Sequence, residues 1–149
     1  MARLKRMAGP TIRFMGHLPD TQVKEHLARC RALIFPGEED FGLVPVEAMA
    51  SGIPVIAYAA GGALETVEET VTGVFFDAPS AQALAAAVRR ADVISWDPQR
   101  IRERAARYDV KRFYEQLEQF IEECYIQHQH ACNPRAREQS YPRLTRIHS

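Results

Sequence analysis

The apolar positions of this chain change period repeatedly, and each change predicts an element. "ARLKRM" (2–7) reads as the end of a short helix stopped by Gly9-Pro10. "TIRFMG" (11–16) alternates and is β-branched, which predicts a short strand closing at Gly16. In "TQVKEHLARCR" (21–31) Val23, Leu27 and Cys30 line one helical face, with Asp20 or Thr21 as the cap. "ALIFP" (32–36), "PVIAY" (54–58) and "GVFFD" (73–77) are unbroken apolar runs, the mark of strands covered on both faces. Between them "PVEAMAS" (45–51) predicts a helix with Pro45 in its first turn and Gly52 as its stop, and "ALETVEE" (63–69) a shorter one. "SAQALAAAVRRAD" (80–92) opens on a serine cap and is strongly amphipathic. Two helices follow, "DPQRIRERAARYD" (97–109) and "VKRFYEQLEQFIEECYIQ" (110–127), the second with Phe113, Leu117, Phe120, Ile121 and Cys124 on one stripe.

Strands alternating with helices build βαβ units, so the fold class is α/β, a Rossmann-like parallel sheet with helices on both faces and additional C-terminal helices. The expected organisation is one domain over residues 1–127. Beyond Gln127 the period is lost, and residues 128–149 read as a disordered tail. The chain opens on a helix remnant rather than on a strand and Gly-rich turn, so a first βα unit is expected to be missing.

Composition narrows the function classes. At 46% hydrophobic, 26% charged and formal net charge +0, the sequence is that of an ordinary soluble globular protein. A nucleic-acid binder normally carries a basic excess, so none is expected as a partner. The zero hides an asymmetry: from His128 onward four arginines (135, 137, 143, 146) face one acid, Glu138, leaving the tail at +3 and residues 1–127 at −3. The tail lacks an amphipathic apolar face, so it reads as solvated, with a peripheral membrane contact left open. Cys30, Cys124 and Cys132 show no metal-like or CxxC spacing, the N-terminus carries no signal-peptide pattern, and no apolar run approaches the ~18 residues of a membrane span. A reducing, cytoplasmic location is expected. "HQHAC" (128–132) places His128, His130 and Cys132 at alternate positions, but in a polar tail it is read as solvated rather than as a metal site.

The chemistry concentrates in "FPGEEDFGLVPVEAMASG" (35–52). Ligands of open α/β sheets sit beyond the carboxyl ends of the strands, and the loop Gly37–Val44 occupies such a position. Gly42 lets the backbone approach a ligand, and the free N–H groups at Leu43 and Val44 suit a diphosphate. Glu39 and Glu47, seven residues intervening, would repel a phosphate, but as pure acceptors they suit vicinal hydroxyls. Two acids flanking an anion hole suggest sugar at both ends of a diphosphate, a nucleotide sugar. The plain structural alternative for Glu47 is helix stabilisation near the third helical position. Glu38 and Asp40 read as solvated loop acids, Phe35 and Phe41 as packing residues, Glu65 as a helix-capping acid and His17 as a surface turn histidine rather than part of the cleft, while Gly61-Gly62 is left open between a plain turn and part of the ligand site.

"EDFGLVPVE", "AMASGIPVIA" and "GGALETV" closely resemble the E-x7-E region of the retaining glycosyltransferases of family 4, which have the GT-B fold. "IRFMGHLPD", "TGVFFD" and "RYDVKRFYEQLEQFI" extend the resemblance over roughly residues 2–123, and "PGEEDFG…GGALETV" is most similar to the mannosyl-transferring branch. The resemblance implies the incomplete C-terminal, donor-binding half of a GT-B fold, used for retaining, metal-independent glycosyl transfer from a GDP-mannose-like or UDP-sugar donor with no cofactor. It implies that Glu39, the candidate catalytic residue, accepts from donor hexose hydroxyls and Glu47 from the ribose. The backbone at Phe41, Gly42, Leu43 and Val44 would hold sugar and diphosphate, and Asp40 falls inside the same donor-binding segment. The acceptor-binding N-terminal domain and the Arg/Lys pair that neutralises the leaving diphosphate are expected to be absent, which makes a separate acceptor-binding N-terminal subunit an expected partner and the isolated chain inactive. A non-catalytic nucleotide-sugar-binding module, or a decayed remnant, stands beside the enzyme reading.

Overall fold

The computed structural model describes residues 2–132. Two compact units divide the chain, Met1–Arg107 and Tyr108–Ser149. In the first unit the elements run α1 (Ala2–Met7), α2 (Asp20–Arg29), β1 (Leu33–Phe35), α3 (Leu43–Ala50), β2 (Val55–Tyr58), α4 (Ala63–Thr66), β3 (Gly73–Phe76), α5 (Ala81–Asp92) and α6 (Pro98–Ala105). A 3-10 turn (Ala106–Tyr108) follows, and the second unit contains α7 (Val110–Cys132).

β1, β2 and β3 form one parallel sheet in chain order, with Leu33 opposite Val55 and Val55 opposite Gly73. Period-two alternation splits their apolar residues between two faces. Phe35, Val55 and Ala57 turn to one side, where they pack with Ala48 and Met49 of α3, Ala63 of α4, and Ile101 and Ala105 of α6. Ile56, Val74 and Phe76 turn to the other, against Ala87 and Ala91 of α5. Trp96 touches both clusters and donates its indole N–H to the Ala91 carbonyl at 3.0 Å. The expected parallel sheet with helices on both faces is therefore what forms, and it covers both sides of 54–58; in 32–36 the expectation is corrected, because Ile34 of β1 stays 48% exposed.

Local signals explain the helix ends. Ser80 Oγ accepts from the Ala83 N–H at 3.1 Å, and Asp97 accepts from Gln99 and Arg100 at 2.9 and 3.3 Å. α3 ends in a left-handed Gly52 (φ +81), with Gly52 N–H donating to the Met49 carbonyl and Ile53 N–H to the Ala48 carbonyl. In α2 the expected cap differs. Asp20 is the first helical residue, Pro19 precedes it, and no side chain caps the helix.

Two other expectations are corrected. "TIRFMG" forms no strand: Ile12 N–H turns back to the Gly9 carbonyl, and Ile12, Phe14 and Met15 are exposed. Its pattern suits a strand, but no described residue offers it a ladder, and a strand exists only with one. The helix expected to end at Gln127 runs to Cys132, so residues 128–132 of the expected tail are helical. The rest of that tail lies outside the described residues.

Candidate functional site

The loop leaving β1 at Phe35 enters α3 through Gly42, which is buried and left-handed (φ +77). A Cβ there would meet Pro45 Cγ at 3.5 Å and Phe35 Cε1 and Pro45 Cδ at 3.6 Å, ordinary contacts, so the backbone angle and not space requires glycine. Leu43 and Val44 are the first two helical residues, and their N–H groups have no carbonyl four residues earlier to bond within the helix. Pro45, third, has no N–H to place. No acid sits in the first turn of α3 to neutralise the positive end of its dipole.

Glu47 is the fifth helical residue, past the third position where a glutamate completes a capping box. It lies one turn beyond Leu43 and Val44, at the four- and three-residue spacings that share a helix face. That face is exposed, while Pro45, Ala48 and Met49 are buried. Glu39 and Asp40 are exposed in the preceding loop, and Phe41 is 40% exposed. The sequence-selected residues are thus gathered at one place: an extended acid-bearing loop, a glycine turn, two helix amides, and a second carboxylate one turn up.

A second loop presses on the first. Gly62 N–H donates to the Glu39 carbonyl at 2.8 Å. A Cβ on Gly62 would lie 2.4 Å from Phe41 Cα and 2.5 Å from the Asp40 and Phe41 oxygens; one on Gly61 would lie 2.3 Å from the Glu39 oxygen. Backbone meets backbone with no room for a methyl group between them. The sequence left Gly61-Gly62 open between a plain turn and a loop near the donor, and did not show this contact. The available signal was a glycine pair three residues past the end of β2, the strand beside β1. α6 then holds both helices that follow these loops: Arg104 donates Nη2 to the Glu65 carbonyl at 2.9 Å and Nε to the Thr66 carbonyl at 3.3 Å, and Arg102 Nη2 reaches the Ser51 carbonyl at 3.5 Å. Cationic groups at helix C-termini are favourable for the dipole.

The family comparison agrees with this architecture. The description "glycosyl transferases group 1" matches residues 2–108. The chain belongs to the glycosyl transferases group 1 family. This glycosyltransferase domain is 39% identical to the alpha-1,3/1,6-mannosyltransferase ALG2 of Homo sapiens over 66 residues, 44% of the chain and 16% of that protein. It is 42% identical to the glycogen synthase of Mycobacterium tuberculosis over 89 residues, 59% of the chain and 21% of the synthase. Among solved structures, the sucrose-phosphate synthase of Thermosynechococcus elongatus superposes with a TM-score of 0.70 at 29% identity, covering 84% of this chain and 33% of that one. HepE of Anabaena, solved in complex with UDP-glucose, gives 0.65 at 25% identity, covering 82% and 35%. The glycosyltransferase chain thus spans about a fifth of these curated relatives and about a third of these solved structures. The likeness carries the GT-B fold expected from the sequence.

His17 lies exposed in a bend. Among the described residues no group of three His, Cys, Asp or Glu is placed to hold a metal ion. The side chains of His130 and Cys132 lie outside the described residues. No helix among the described residues is long and apolar enough to cross a membrane.

Proposed function

We propose that this domain binds a nucleoside diphosphate hexose, GDP-mannose-like or UDP-linked, as the donor side of a retaining, metal-independent glycosyltransferase. The observation that carries the reading is the start of α3: a left-handed Gly42, two helix-terminal amides, no acid in the first turn, and exposed carboxylates before and after it. The amides of Leu43 and Val44 take the diphosphate, for which a helix N-terminus is suited by both hydrogen bonding and dipole. Glu39, with Asp40 beside it, accepts from hexose hydroxyls, and Glu47 accepts from the ribose. Phe41 and Gly42 present backbone to the donor, and Glu39 orients the anomeric centre for attack. In this reading the acceptor is bound by a further polypeptide segment, on a separate subunit or elsewhere in a longer chain.

Calorimetric titration with GDP-mannose and with UDP-glucose tests the binding. Glu47→Gln removes a charge-assisted acceptor and is expected to cost about 1.5–3 kcal/mol of donor affinity. If the Gln variant binds as tightly as the parent, the ribose assignment is wrong. Holding the acceptor about 3–3.5 Å from the anomeric carbon supplies ~7–11 kcal/mol of the barrier. The isolated chain is therefore expected to bind donor but transfer no sugar until the acceptor-binding polypeptide is added. Robust transfer by this chain alone, in a radiolabelled-donor assay, refutes that division of labour.

A further inference from the structure

The C-terminal end of α4 is held by a side chain from α6. Within α4 the Thr66 and Val67 N–H groups bond back to the Gly62 and Ala63 carbonyls at 3.1 and 3.0 Å. The next amide, Glu68, turns away to Thr72 Oγ1 at 2.8 Å, so the helix stops and its last carbonyls need a donor from outside. Arg104 supplies it, with Nη2 on the Glu65 carbonyl and Nε on the Thr66 carbonyl. Two prongs of a planar guanidinium fix direction as well as distance. Arg104 is itself well anchored, because Ile101 and Ala105 on either side of it in α6 are buried in the core.

At its other end α4 begins from Gly62, which is gripped from two directions. Thr66, fully buried, donates its hydroxyl to the Gly62 carbonyl at 3.1 Å, and the Gly62 N–H donates to the Glu39 carbonyl at 2.8 Å. A helix of four residues cannot maintain itself, so its position is set by what holds its ends. The two loops already touch backbone to backbone. A shift of α4 toward the acid-bearing loop collides with Asp40 and Phe41, and a shift away breaks the bond to Glu39.

We propose that Arg104 is a positioning residue for the acid-bearing loop: it fixes the end of α4, α4 fixes Gly62, and Gly62 fixes the backbone of Glu39. Arg104 acts through α4 and not by contact with the donor. Its effect on donor binding rests on the function proposed above.

Two readouts on the full chain separate positioning from plain stability. The amide proton shift of Gly62, read in proton–nitrogen correlation spectra, reports the bond to Glu39, which Arg104 does not touch. Arg104→Met should move that resonance upfield, as a weakened hydrogen bond requires. Calorimetric titration with UDP-glucose and with GDP-mannose, well below the melting point, should show about 10-fold weaker binding, the middle of the range for coupling through a packed element. Arg104→Lys keeps the charge without the two-pronged geometry and should also weaken binding. If Arg104→Met does not fold, Arg104→Lys carries both readouts. Val74→Ala, a cavity on the other face of the sheet, should lower the melting temperature and leave both readouts as in the parent. An unmoved Gly62 resonance overturns the proposal, and so does unchanged donor affinity in Arg104→Met. Full affinity in Arg104→Lys assigns the effect to charge and overturns it as well. A parent chain that binds neither donor refutes the proposed function instead, and the Gly62 resonance still decides whether Arg104 holds the loop.

Discussion

Replacing Gly62 with alanine tests whether the β2–α4 loop holds the donor-loop candidate in place. Gly62 has φ −62, which alanine adopts without strain, so the effect is purely one of space. The new methyl would stand 2.4 Å from Phe41 Cα and 2.5 Å from two carbonyl oxygens, against the 3.4–4 Å of ordinary contact. Backbone on one side or the other must move by about 1 Å, because no flexible side-chain end is available to yield. Overpacking of this kind costs about 1–3 kcal/mol, and loss of the 2.8 Å bond from Gly62 N–H to the Glu39 carbonyl adds about 1 kcal/mol. The expected destabilisation is about 2–4 kcal/mol, or roughly 8–16 °C in Tm at about 4 °C per kcal/mol for a unit of this size. Donor affinity, measured by calorimetry well below the melting point, should fall at least ~10-fold, because displacement of the acid-bearing loop misplaces its binding groups. Gly37 is the matched control. It lies in the same loop, and a methyl group placed there would find nothing within 4 Å, so Gly37→Ala should melt within a degree or two of the parent. A Gly62→Ala protein that melts and binds like the parent would falsify the clamp.

Two further outcomes follow from local geometry. Thr70 is a β-branched residue at φ +63, where a Cβ costs roughly 1–2 kcal/mol, so Thr70→Asn should raise Tm by a few degrees; a lower Tm would show that the threonine side chain contributes more than its strain costs. Cys30 is half-buried and donates its thiol to the Leu27 carbonyl at 3.2 Å, and burial raises its pKa above the ordinary 9.0, with backbone hydrogen bonds from Cys30 and Ala32 opposing. Iodoacetamide at pH 8 should therefore modify exposed Cys124 first. The stability contributed by the Cys30 shift is intact below 9.0 and declines as pH rises through the raised value, and equal labelling rates would refute the burial argument.

The elements most legible in the sequence are those whose signal is carried by packing on two sides. β2 and β3 have no polar residue to spare because both faces are covered, whereas the equally apolar β1 leaves Ile34 48% exposed on one face, and Ser80 and Gly52 act as the cap and stop that their residue types imply. "TIRFMG" shows the limit: local pattern states what a segment suits, while pairing depends on a neighbour. The site shows the same division. The glycine turn at Gly42 and the position of Glu47 one turn into α3 were legible because turn geometry and helix spacing are local. The contact of Gly62 with the Asp40–Phe41 backbone joins segments some twenty residues apart, and no periodicity reports a missing methyl group.

The return of α6 to the sheet has a consequence for synthesis on the ribosome. Strand order equals chain order, so each βα unit can dock on the one before it as the polypeptide emerges. The face built by Phe35, Ala48, Met49 and Val55 nevertheless stays open until Ile101, itself 0% exposed, arrives with Ala105. Arg102 and Arg104 reach the ends of α3 and α4 in the same step. A nascent chain halted at Trp96 holds all three strands and still shows an apolar face to any chaperone in reach. The domain closes late, and it closes with its last short helix.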